Sequence, residues 1–478
     1  MSEIKLYSTL TKTIETFKPI KTGEVGVYSC GPTVYNFAHI GNLRAYVFAD
    51  TLRRMFEFNN YKVNQVINIT DVGHLSSDAD EGEDKLEKGA KREHKTVWEI
   101  AEFYTNAFKA DLLALNIEIP EKMPKATDNI DEMIEIVKVL ETKGFTYSAG
   151  GNIYFDTAKF PNYYNLQGAK PKDQDLSARV ELDQNKKHPT DFVLWFTQHK
   201  YGEHAMLWDS PWGKGFPGWH IECSAMATKY LGEHFDIHTG GIDHISVHHT
   251  NEIAQSEGAF GHKWVNCWMH NNFVNVKDGE KMAKSSDNFL RLQTLIDADY
   301  DPLDYRYYLL GGHYRSVMNF SYEALDGARN ARNRLKNMLS GLKNEVAEGK
   351  DPILRSELRR AQQEADVNDK YFQLFTEKIN DDLNTPEALA VLWSMLGDKV
   401  LLPESKIELT KKFDDVLGLK LLDNETDAIP EKVTGLAQKR QVARQNKDWS
   451  ESDKLREELA NLGYEILDRE DRYELKKK

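Results

Sequence analysis

Cysteine is scarce in this sequence, with Cys30, Cys223 and Cys267 the only three in 478 residues. So few, so widely spaced, cannot build a disulfide framework, and free thiols or metal ligands are the expected state. Long apolar runs are lacking too, and nothing approaches the ~20 residues that cross a bilayer. The opening Met1-Ser2-Glu3-Ile4-Lys5 mixes charges where a secretory leader would carry an apolar core. A cytoplasmic protein without membrane attachment is expected. Positive charge is also in short supply, since 62 Lys and Arg against 76 Asp and Glu leave a net charge of −14. That balance disfavours wholesale nucleic-acid binding, which depends on releasing counterions to cationic side chains. One stretch is an exception: Lys432, Lys439, Arg440, Arg444 and Lys447 occur with no acidic residue among them. Such a stretch suits an RNA held at a defined place, although a solvated helix face is the plainer reading.

What is present is a globular pattern, 40% hydrophobic and 11% aromatic, with length for about three domains. Glu24 to Cys30 alternates toward a buried strand, and Gly31-Pro32-Thr33 ends it. Leu43, Val47, Leu52, Met55 and Phe56 fall at helical spacing before Asn59-Asn60, and Lys62 to Thr70 reads as a second strand. Strand, helix, strand predicts a parallel sheet in an α/β fold. Asp78 to Lys95 is densely charged and reads as an exposed loop or helix start. From about Pro120 to Phe216 one helix, Ile130 to Leu140 with Gly144 as its cap, precedes a stretch rich in turns, read as an insertion. Strands resume at Phe235–His238 and Phe273–Val276, helices run from Tyr322 to about Leu421, and Asn424 to Ile429 reads as a linker. A basic helix and two short strands, Tyr464–Leu467 and Arg472–Leu475, finish the chain.

Three groups of residues could carry chemistry. His39-Ile40-Gly41-Asn42 stands where the first loop enters a helix, whose unpaired N–H groups and positive dipole end attract phosphate. Lys281-Met282-Ala283-Lys284-Ser285 offers two lysines where negative charge would build on a transferring phosphate. His248 and Glu252, four apart on one helix face, join Cys223 and Cys30 as a zinc-like donor set. His249, His234, His238 and His244 leave the ligand assignment ambiguous from spacing alone.

The first two groups resemble the HIGH and KMSKS signatures of class I aminoacyl-tRNA synthetases. Asn42 stands in place of the last His of the first signature, and Ala283 in place of a Ser of the second. Longer strings resemble the cysteinyl-tRNA synthetase family, and the resemblance spans essentially the whole chain. They are Cys30-Gly31-Pro32-Thr33-Val34-Tyr35, Asn68-Ile69-Thr70-Asp71, Gly218 to Met226, His248 to Ser256, Asn384-Thr385-Pro386-Glu387-Ala388 and Lys447-Asp448-Trp449. The resemblance implies a Rossmann-like parallel-sheet catalytic domain over residues 1–119 and 217–315, split by a connective insertion over 120–216. A helical bundle over 316–423 and a small α+β anticodon-binding unit over 424–478 would follow.

It also implies zinc on Cys30, Cys223, His248 and Glu252, and a cysteine site lined by Gly31, Thr33, Thr70 and Trp219. ATP, with Mg2+, would meet His39, Gly41, Asn42, Gly241, Asp243 and Lys284, with Lys281 assisting catalysis. Arg444, Trp449, Asp453 and Asp468 would read the anticodon of tRNA(Cys), although Trp449 could equally be a core anchor. The implied activity is joining L-cysteine to the 3′-terminal adenosine of that tRNA, by a monomer. A ligase passing cysteine to an amino sugar, and a non-catalytic RNA-binding relative, are the alternatives. The anticodon-like C-terminal segment speaks against the first, and retention of the lysines, His39 and the donor set against the second. A zinc hydrolase fits poorly, because four protein ligands leave no open water position.

Overall fold

Val25, Val27 and Tyr28 are fully buried, which places the strand Glu24–Ser29 at the centre of a sheet. In this computed structural model the sheet has four parallel strands, ordered Val265–Asn271, Phe235–Gly241, Glu24–Ser29, Lys62–Ile67. The structure describes residues 2–72, 75, 84–168, 183–198, 204–276, 290–348, 357–423, 431–445, 448–462, 464–468 and 473–477. Helix Ile40–Phe58 crosses from the Glu24 strand to one side, and helix His248–Phe260 from the Phe235 strand to the other. Where two neighbouring strands send their chains apart, their carboxyl ends open a crevice. Cys30 and Gly240-Gly241 stand at that point.

Between the Lys62 strand and the helix Trp219–Leu231 come helices Lys85–Glu93, Val97–Ala114 and Ile130–Thr142. Gly144 has φ +80°, as its capping place requires. The turn-rich stretch beyond it contains more than turns. Thr146–Ala149, Asn152–Phe155, Phe192–Phe196 and Phe216–Pro217 form an antiparallel sheet in that order, with Tyr154, Val193, Phe196 and Phe216 packed in one cluster.

Helices Tyr322–Ala347, Glu357–Asn380, Thr385–Gly397 and Pro403–Leu417 follow, as the charged and apolar interleaving predicts. Residues 1–421 form one compact unit and 422–478 another. The second unit packs helices Glu431–Gln445 and Trp449–Asn461 with the antiparallel pair Tyr464–Asp468 and Tyr473–Lys477, around Val433, Ala437, Leu459 and Ile466. Asn424 to Ile429 lies outside the described residues. Among the described residues no helix is long and apolar enough to cross a membrane.

Candidate active site

The crevice holds a cavity of ≈ 450 Å³ lined by residues from several of the segments singled out above: Cys30, His39, Asn42, Thr70, Trp219 and Gly241 among them. One wall begins at His39, the N-cap of helix Ile40–Phe58. Asn42 N–H donates to His39 Nδ1 at 3.0 Å and His39 N–H to Asn42 Oδ1 at 3.3 Å, a reciprocal capping box. Asn42 therefore serves the helix with its carbonyl oxygen and keeps its NH2 group as a donor. Gly31, Thr33, Asp243 and His248 also line the cavity. Lys281 and Lys284 lie outside the described residues.

Two loops are zipped together beside Cys30. Thr70 N–H donates to Pro32 O at 3.1 Å and Val34 N–H to Thr70 O at 3.2 Å. Gly31 N–H donates to Asn68 Oδ1 at 2.7 Å, and Thr70 Oγ1 donates to Glu222 Oε2 at 2.9 Å. Burial raises the Glu222 carboxyl well above its ordinary value, opposed by that Thr70 bond. Trp219 lies flat on the His248 imidazole, ring centres 4.1 Å apart.

At the floor, ligand atoms of Cys30, His248, His249 and Glu252 lie within 4.8 Å of one another, all buried. The far side of each ring and of the carboxylate is already held. His248 Nδ1 meets His220 Nδ1 at 2.9 Å, His249 Nδ1 meets His270 Nε2 at 2.7 Å, and Glu252 Oε2 meets His238 Nε2 at 2.7 Å. Metal sites orient their ligands in this way. The near atoms converge: His248 Nε2 is 2.7 Å from Glu252 Oε1, and Cys30 Sγ is 3.2 Å from His249 Nε2 and 3.9 Å from Glu252 Oε1. Cys223 adjoins this group through hydrogen bonds with Cys30 and His248.

Charge is shared unevenly here. Burial opposes ionisation of Cys223, yet the hydrogen bond from Cys30, then the charge and hydrogen bond of His248, bring its thiol to about 6. Burial and then Cys223 push the Cys30 thiol far up. Burial likewise works against a charged His248, but the Glu252 carboxylate and Cys223 raise it to about 10. Glu252 is held below the usual carboxylate range despite burial, by His238 and His248. His249, His220 and His270 are kept neutral chiefly by burial. Two sulfurs, imidazoles and a carboxylate, dry and pre-oriented, fit a soft divalent cation such as zinc. Three residues of the expected set, Cys30, His248 and Glu252, thus come together with Cys223 beside them, and His249 joins the group. Spacing flagged the ambiguity of His249 and His238, whereas the supporting roles of His220 and His270 left no signal, because they come from separate segments.

In the C-terminal unit Trp449 is 57% exposed, with the Arg444 guanidinium 5.8 Å from its ring centre, so it is no core anchor. Asp453 is exposed as well. The basic face is smaller than its sequence suggests, since Arg440 is 1% exposed and turned inward. Side chains of Lys432 and Asp468, and all of Lys447, lie outside the described residues.

The family of tRNA synthetases class I (C) catalytic domains matches residues 16–330, and the cysteinyl-tRNA ligase anticodon binding domain residues 426–474. A DALR domain matches residues 374–398. The chain is 46% identical to a cysteine-tRNA ligase of Treponema denticola, over 97% of this chain and 98% of that protein. The chain belongs to the cysteine-tRNA ligase family. A second member, cysteine-tRNA ligase 1 of Burkholderia lata, is also 46% identical, over 97% of this chain and 95% of its own length. The class I synthetase fold extends further. Methionyl-tRNA synthetase of Mycobacterium tuberculosis, solved with methionyl-adenylate, matches with a TM-score of 0.58 at 16% identity, covering 83% of this chain and 89% of that one. The LeuRS-tRNA-LeuAMS complex of Agrobacterium radiobacter matches with a TM-score of 0.60 at 12% identity, covering 84% and 85%.

Proposed function

We propose that this chain activates L-cysteine with ATP and passes the cysteinyl group to the 3′-terminal adenosine of tRNA(Cys). It works in the cytoplasm as a monomer, with zinc resident and Mg2+ accompanying ATP. The observation that carries this reading is a single cavity with a thiol, imidazole and carboxylate group at its floor and a helix N-terminus at its wall.

Zinc would be held by Cys30, Cys223, His248 and Glu252, and it supplies a soft Lewis acid that favours a substrate thiolate over a hydroxyl of nearly equal shape. Shape alone would separate such near-isosteres by only ~1–3 kcal/mol. Gly31, Thr33, Thr70 and Trp219 wall the amino acid and exclude water from it. His39 and Asn42, with the helix N-terminus and Gly41, hold phosphate oxygens, while Gly241 and Asp243 receive the ribose. The cysteine carboxylate attacks the α-phosphorus, the bond to pyrophosphate breaks, and Lys281 and Lys284 balance the charge of the leaving group. The terminal 2′-hydroxyl of the tRNA then attacks the carbonyl carbon and AMP leaves. No covalent enzyme intermediate is needed, so positioning and charge stabilisation supply the catalysis. Arg444, Trp449, Asp453 and Asp468 select the tRNA by base-edge bonds and stacking.

The test pairs cysteine-dependent exchange of pyrophosphate into ATP with charging of a tRNA(Cys) transcript. Both should proceed, and Cys223→Ser should reduce both about 100-fold or more. Exchange without charging would favour an amino-sugar acceptor, and absence of both would refute the reading.

A further inference from the structure

We propose that a strip of aromatic rings with cations beside them, leading outward from the cavity, seats the unpaired 3′ end of the RNA substrate. This rests on the function proposed above. The strip starts at Tyr35, Lys85 and Tyr104, which line the cavity, with Lys85 Nζ 5.8 Å from the Tyr35 ring centre. Arg92 Nη2 donates to the Tyr104 hydroxyl at 3.0 Å. Phe37 comes next, edge-on to Tyr104 at 5.0 Å and to Phe103 at 5.9 Å. The Arg291 guanidinium lies 4.5 Å over the Phe37 ring, and its backbone pairs with His39 at the phosphate wall. The strip ends at Phe103, 45% exposed, with Lys95 Nζ 4.4 Å from its ring centre.

Glu93 partly offsets these cations, pairing with Arg92 at 2.7 Å and Lys95 at 3.3 Å, and Asp111 faces Arg291. With Lys88 and Lys91, which are exposed, the cations Lys85, Arg92, Lys95 and Arg291 make six against five carboxylates, Glu87, Glu93, Glu99, Glu102 and Asp111. Phe103 keeps 45% of its surface open beside the Lys95 ammonium, leaving a face on which a base can stack. Rings interleaved with cations serve single-stranded nucleic acid, because every base has a π-face and every linkage a phosphate. A duplex keeps its bases stacked inward and cannot use the rings. The occupant that must reach the cavity from outside is the unpaired end carrying the acceptor hydroxyl.

Phe103→Ala and Lys95→Ala in the full-length protein test this, read by KM for tRNA in charging, its salt dependence, and cysteine-dependent pyrophosphate exchange. Phe103→Ala should raise KM for tRNA about tenfold, with Phe103→Trp restoring it. Lys95→Ala should flatten the log–log salt slope by about 0.7, one single-strand phosphate contact. Exchange should stay within about twofold in each, since neither side chain lines the cavity. An unchanged KM for tRNA in the double variant would overturn the proposal, as would exchange falling in step with charging, the mark of a packing role. A wild-type chain that exchanges pyrophosphate but charges no tRNA would instead refute the underlying function.

Discussion

Gly31 shows how little slack the proposed cysteine wall has. A Cβ there would sit 1.5 Å from the Asn68 carbonyl oxygen, so any side chain must part the two zipped loops. Gly31→Ala should therefore lower cysteine-dependent exchange about 100-fold, the usual result of moving reacting groups by about 1 Å. A second residue sets a pH dependence. Burial pushes the Asp111 carboxyl up to about 6, against the pull of Arg291. The folded chain thus holds that proton more tightly than the unfolded one. Its contribution is full below the ordinary value of 3.8 and is lost as pH rises through about 6. Asp111→Asn should stabilise the protein by about 1–2 kcal/mol at pH 7.5, after allowance for partial exposure, and little at pH 4. Thermal unfolding across that range would show it. The donor residues themselves are legible in the sequence, because Cys30, Cys223, His248 and Glu252 stand inside long distinctive strings. What holds their far atoms is not, since His220, His238 and His270 acquire those roles only when the sheet and two helices close on one another.

Helix Ile40–Phe58 does more than present its N-terminus. Arg44, one turn in, is 3% exposed and among the described residues has no carboxylate as a hydrogen-bond partner. Its guanidinium donates to the carbonyls of Asn272 at 2.9 Å, Phe273 at 2.6 Å, His313 at 3.0 Å and Ser316 at 2.7 Å. Burial lowers it to about 10. These carbonyls precede the paired strands Val274–Val276 and Met318–Phe320, the first of which runs on in sequence toward Lys281 and Lys284. Lysine cannot copy the fork, so Arg44→Lys should cost about 2–4 kcal/mol in a denaturant titration. The parallel sheet was readable because strand, helix and strand follow closely along the chain. The antiparallel sheet of the insertion was not. Its pairing of Tyr154 with Val193 joins residues far apart in sequence, and Phe192–Phe196 is buried on both faces, so no alternation marks it.

Over the whole molecule, residues 1–421 and 422–478 form two compact units, and the anticodon-domain match lies wholly within the second. A chain ending at Leu421 should keep cysteine-dependent exchange and lose most tRNA charging, with KM for tRNA raised at least about 100-fold. Helical character was evident from charged residues interleaved with Leu, Ala and Ile, whereas the inward turn of Arg440 was not, because charge counts carry no direction. Under the proposed function the catalytic unit must select cysteine over serine, and the cavity floor makes that selection by sulfur chemistry. The most direct measurement is the ratio of kcat/KM for cysteine to that for serine in pyrophosphate exchange, taken before and after chelation. We expect activity to fall steeply on metal removal and the residual ratio to shrink toward the roughly 10- to 200-fold that shape can supply. A ratio and a rate both unchanged in demonstrably metal-free protein would contradict the account.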